Sequence, residues 1–167
     1  MIRASKITKG SILVSITIIL FLLSKIINIA DLTLLTFSSL IICLSIIKFG
    51  TKYSFLILIS STITSITFGL IEYSLIYVLF FGSYPILKFY IENFNNVVIE
   101  IFLKLVYFNI LFLLIFFTYL KLFFPIKINF IIIMFSCIIS SFIFLMYDLM
   151  LTRIINYIYN NNFINNL

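Results

Sequence analysis

Few residues in this chain have types that could do chemistry, and those few are widely spaced. Five acids (Asp31, Glu72, Glu92, Glu100 and Asp148) and eleven bases stand among 167 residues, and there is no histidine. The side chain that titrates nearest neutrality, which is also the commonest metal ligand, is therefore missing. The cysteines Cys43 and Cys137 stand alone in apolar runs. Two isolated thiols make neither a zinc site nor a disulfide framework, and they read as small buried hydrophobes. No P-loop, HExxH, G-x-S-x-G or glycine-rich phosphate loop occurs. The expectation is a protein that is not an enzyme, with no catalytic residue, no metal and no cofactor.

Three groups of residues remain as candidates. Asp148 lies in FIFLMYDLMLTRI, about one and a half helical turns before Arg153. An ionised carboxylate in such a segment is expensive unless it is paired or reaches water. Asp148 and Arg153 are assigned to a structural ion-pair site, in which Asp148 ties the last helix to a lysine such as Lys48, Lys52 or Lys88. The other reading is a hydrated interfacial acid that serves topology alone. Lys25, Asn28 and Asp31 form a polar group between two apolar runs. With Thr62 from the hydroxyl-rich run SSTITSIT, they are the candidate ligand-binding residues, since mostly apolar pockets orient ligands through a few polar groups. Alternatively, Lys25 snorkels and Asp31 caps a helix, while the 60–67 hydroxyls serve close helix packing. Glu100 and Lys104 stand four apart in the order favoured for a simple helical pair.

The elements that must hold these residues are membrane helices. The chain is 64% hydrophobic and 10% charged, with a mean hydropathy of +1.32. Soluble domains carry about 25% charged residues. Charges divide the sequence into six uncharged runs of 15 to 20 residues. Each can span once its flanking lysines reach the interface, given that a span needs about 20 residues. Period-two alternation is absent, which argues against a membrane barrel. The predicted fold is all-α: a polytopic bundle over 1–155 with spans at about 10–29, 32–48, 53–70, 72–84, 98–121 and 128–153. An Asn-rich tail, 156–167, follows.

Basic residues orient the bundle. With the N-terminus inside, eight of the eleven (Arg3, Lys6, Lys9, Lys48, Lys52, Lys88, Lys104 and Arg153) fall on the cytoplasmic side, and Lys25, Lys121 and Lys127 outside. A multi-pass protein of the cell membrane with both termini cytoplasmic is expected. The net charge of +6 is spread along the chain, so no nucleic-acid partner is expected. The first span mimics a signal peptide but has no small-residue cleavage site after it.

Residues 79–94, LFFGSYPILKFYIENF, break the pattern. Pro85 removes a backbone donor and disfavours helix at Tyr84, so the fourth span should end or bend there. Lys88, Glu92 and Asn96 then recur every four residues. A short interfacial helix over about 86–93 is predicted, with Lys88 offered to a cytoplasmic partner.

A six-helix protein of this length, nearly loop-free and with no catalytic motif, resembles the S components of energy-coupling factor transporters. These are substrate-binding subunits that rely on a membrane T subunit and two ATPases. The resemblance is architectural. Two local features carry it: Ser11 and Ser15, four apart where S components use alanines, and the YDLMLTRI and YPILKFYIE stretches, which look like those of related small membrane proteins. It implies that the Ser11/Ser15 face contacts a T subunit, and that ATPases act as cytoplasmic partners. The outer connections look short, and the Pro/Gly-rich loops that lid the ligand in S components are missing. Two functions follow as expectations: a substrate-binding S subunit, or a non-catalytic scaffold or regulatory subunit of a partner membrane protein.

Overall fold

The computed structural model describes residues 2–27, 30–94, 96–123 and 130–160, and every regular element among them is helical. Seven α-helices follow in order: α1 (Ile2–Ile27), α2 (Asp31–Phe49), α3 (Thr51–Thr67), α4 (Ile71–Ile76), α5 (Ser83–Glu92), α6 (Val97–Phe123) and α7 (Phe130–Asn160). A π-helical segment, Tyr77–Phe81, joins α4 to α5. Five stretches are long and apolar enough to cross a membrane: Lys6–Ile27, Asp31–Phe49, Ile71–Glu92, Val97–Phe116 and Ile133–Ile158. These are the marks of a membrane protein. The third of the six expected spans corresponds to α3, which has 17 residues. Helix α7 continues to Asn160, so the first part of the expected polar tail is helical; residues 161–167 lie outside the described residues.

Where the sequence suggests one bundle over 1–155, the chain divides into two compact units, Met1–Tyr90 and Ile91–Leu167. The first is built around small hydroxyl residues. Thr17, Ser24, Ser38, Ser39, Ser45, Ser54, Ser61, Ser65 and Ser74 are all fully buried. Most of these hydroxyls donate to a carbonyl three or four residues back on their own helix, as Ser38 does to Leu35 and Ser61 to Leu58. Once satisfied locally, a serine offers the bulk of a small residue, and neighbouring backbones can approach closely. Ser45 adds a bond across helices, donating to the Ser54 hydroxyl at 2.6 Å. Gly50, at φ 88°, turns the chain between α2 and α3 in one residue. Side chains with a Cβ rarely adopt that conformation.

The irregularity near Pro85 lies upstream of the expected position. Tyr84 and Pro85 are both inside α5, and the helix instead widens at Tyr77–Phe81, where the Gly82 amide bonds the Tyr77 carbonyl five residues back at 2.7 Å. As the third residue of α5, Pro85 falls in the first turn, where its missing donor matters least. A π turn immediately before it eases the clash between the proline ring and the preceding turn. The Ser83 hydroxyl takes up the Leu79 carbonyl at 2.8 Å. Packing explains why the yielding point is here. Tyr77 is fully buried and meets Phe21 edge-on at 5.1 Å. A Cβ on Gly82 would come within 3.0 Å of both Leu58 Cδ1 and Tyr77 Cζ.

In the second unit, α6 and α7 run antiparallel, and three pairs fix their register. Lys104 meets Asp148, Phe108 stacks on Phe144 with ring centroids 4.5 Å apart, and Asn109 bonds Ser141 at 3.1 Å. As one index rises the other falls, which only antiparallel helices produce. The pairs recur at about one turn, so a single stripe on each helix faces the other.

Candidate functional site

Three of the chain's five acids converge on one lysine. The Lys104 ammonium, 2% exposed, stands 3.1 Å from Glu92 Oε1, 2.5 Å from Glu100 Oε1 and 3.1 Å from Asp148 Oδ2. An ammonium has three donors, and each of these carboxylates takes one. Glu92 ends α5, Glu100 lies in the first turn of α6 and Asp148 lies on α7. One side chain thus gathers all three acids of the second unit. Glu100 is also well placed against the positive end of the helix dipole. Lys104 is about 10 Å along α6 at 1.5 Å per residue, inside the span Val97–Phe116. Removing charges from water there is costly, and charge-assisted hydrogen bonds must offset it. What this arrangement does chemically is hold position: the lysine is saturated by its acceptors.

The ion pair expected of Asp148 is formed, and Lys104 is a partner for it that the sequence reading did not propose. Arg153 is exposed and forms no ion pair among the described residues. Five residues separate Asp148 from Arg153, which puts them on different faces of α7. Sequence reasoning treated Glu100–Lys104 as a plain helical pair and left Glu92 on an interfacial face. One signal was available. Lys104 and Asp148 lie equally far along the chain from residue 126, so a hairpin closing there sets them opposite each other.

The residues of the proposed ligand group are placed as follows. Asp31, the first residue of α2, accepts a hydrogen bond from Ser24 of α1 at 2.5 Å. It makes no N-cap: Ala30 is the N-cap residue and provides no side-chain bond. Lys25 is exposed. Thr62 donates to the Leu58 carbonyl of its own helix at 2.8 Å. Asn28 lies outside the described residues.

The residues expected to meet a partner fare differently from one another. Lys88 is 1% exposed, while its neighbours Phe89 and Tyr90 are 44% and 55% exposed. Within the predicted polar stripe Lys88 is buried, Glu92 is half-buried and Asn96 is exposed. Ser11 and Ser15 are exposed and line a groove of about 530 Å³ between α1 and α3. Its walls carry Gly10, Val14 and Ile18 from α1, and Tyr53, Leu56, Ile57, Ser60 and Thr64 from α3. Lys6 closes one end, its ammonium 5.3 Å from the centre of the Tyr53 ring. Lys25, Asp31 and Thr62 are not part of it.

Compared with known proteins, the chain matches no family model, no curated protein and no solved structure.

Proposed function

We propose that this chain is a multi-pass protein of the cell membrane, with both termini cytoplasmic, that acts without catalysis as a scaffold or regulatory subunit of a partner membrane protein. One observation carries the reading: the polar groups described inside the spans are bonded within the protein, either across helices or to their own backbone. Asp31 is bonded by Ser24, the buried serines by their own backbones, and Glu92, Glu100 and Asp148 by Lys104. A substrate site needs convergent polar groups left to face the ligand. A scaffold needs helices locked in register, which buried ionic contacts can provide.

A second reading is the substrate-binding S subunit of an energy-coupling factor type transporter, with a T subunit and cytoplasmic ATPases as partners. It draws on the exposure of Ser11 and Ser15, the face through which the resemblance places the T subunit. Gentle isolation from native membranes separates the two. A stoichiometric membrane partner without ATPases supports the scaffold, and a T subunit with ATPases supports the transporter. A chain that purifies alone, from membranes where its partner is present, overturns both.

A further inference from the structure

We propose that the groove between α1 and α3 seats one acyl chain of an anionic phospholipid, with the lipid phosphate held by Lys6. The inference goes beyond the scaffold reading and stands without it.

The shape and chemistry of the groove change along its length. From Lys6 to Ile18 it follows α1 for about 18 Å at 1.5 Å per residue. Its volume of about 530 Å³ lies in the range of about 300–1,000 Å³ usual for small-molecule sites. Three of the four serine and threonine hydroxyls on its walls, all but that of Ser60, are already engaged with their own helices. Ser11 donates to the Ile7 carbonyl at 3.0 Å, Ser15 to the Ser11 carbonyl at 3.0 Å, and Thr64 to the Ser60 carbonyl at 2.7 Å. A ligand that needs hydrogen bonds gains little from such walls. A hydrocarbon chain needs none, and the small side chains leave room for it.

The Lys6 end is different. Lys6 and Lys9 precede the uncharged run that ends at Lys25, so in a membrane their ammonium groups stand at headgroup depth while Gly10 to Ile18 run along the acyl region. Among the described residues Lys6 has no carboxylate partner, and the Tyr53 ring positions its ammonium. Lys9, Lys48 and Lys52 share this end of the helices. The first unit's two acids, Asp31 and Glu72, begin α2 and α4 at the opposite end. A partner helix would match this charge only by placing an acid at the same depth. A phospholipid brings its charge at the matching depth, and basic residues draw anionic headgroups at the cytoplasmic surface.

The test is native mass spectrometry of the full-length protein in detergent, titrated with phosphatidylglycerol or phosphatidylcholine carrying the same chains. The wild type should bind phosphatidylglycerol about fivefold more tightly, the increment expected for one well-placed lysine. Lys6→Gln should remove that preference, weakening phosphatidylglycerol more than phosphatidylcholine, whose choline cation offsets its phosphate. Ser15→Phe fills the groove and should weaken both lipids. Because Ser15→Phe could disturb folding, Ser15→Cys in a chain lacking Cys43 and Cys137 gives a second readout, in which phosphatidylglycerol nanodiscs should slow maleimide labelling relative to phosphatidylcholine. Equal affinity for the two lipids, or a preference that survives Lys6→Gln, overturns the proposal. So does a Ser15→Cys that cross-links to a partner protein in native membranes and is not shielded by lipid.

Discussion

Lys104 and Asp148 are 44 residues apart in sequence, yet Nζ and Oδ2 meet at 3.1 Å. Four residues further along α6 and four back along α7, Phe108 lies flat on Phe144, with the rings 9° from parallel. The charged contact and the aromatic contact therefore belong to one interface, and each holds the register that the other needs.

Breaking this contact should have unequal effects from its two sides. Lys104→Met removes the donor that three carboxylates share, and breaking a buried ion pair from one side costs about 3–5 kcal/mol. Asp148→Asn keeps an acceptor for the lysine and should lose less, about 1–3 kcal/mol. The double variant should fall short of the sum by more than about 0.5 kcal/mol, because the residues are in contact. Thermal unfolding in detergent measures all three. Additive losses would show that the pair is not formed.

The register itself can be trapped. In a chain lacking Cys43 and Cys137, cysteines at Asn109 and Ser141 should be joined rapidly by a short thiol cross-linker, since those side chains now bond at 3.1 Å. Cysteines at Asn109 and Ser140 should react slowly, because one residue turns the side chain by about 100° around α7. Gel mobility reads the outcome, and equal yields from the two pairs would refute the antiparallel register.

Gly82 offers a steric test. An added Cβ would lie 3.0 Å from the Tyr77 ring and from Leu58 Cδ1, and Tyr77 is fully buried with little room to move. Gly82→Ala should lose about 1–3 kcal/mol, as overpacked sites do, although alanine is the better helix former. A gain in melting temperature would mean that the π turn is not held by this contact.

Topology is open to a direct check. Reporter fusions at Met1 and at Leu167 should both signal the cytoplasm, in keeping with eight basic residues on that side against three. An outside signal from either end would sink the proposed orientation.

The helical, membrane-spanning character of the chain is legible in its sequence because it is a local property. Run length, apolar content and flanking lysines act on each segment separately, and they suffice to mark the long helices. The hydroxyl-rich stretches are equally readable as packing surfaces, because a serine can satisfy itself on its own backbone. Pro85 announces that some turn nearby must yield. Which turn yields was decided by the buried Tyr77 ring against Leu58 and Gly82, residues brought together only by folding. The same holds for the charges. Glu100 and Lys104 are visible as neighbours on one helix, whereas Glu92 and Asp148 join them through the packing of separate elements. Lys88 reads as part of the polar face of an interfacial helix and is buried, because a period of four marks a face but not the direction in which it points. That direction is set by tertiary packing, where the loss of hydration is weighed against contacts contributed by distant parts of the chain.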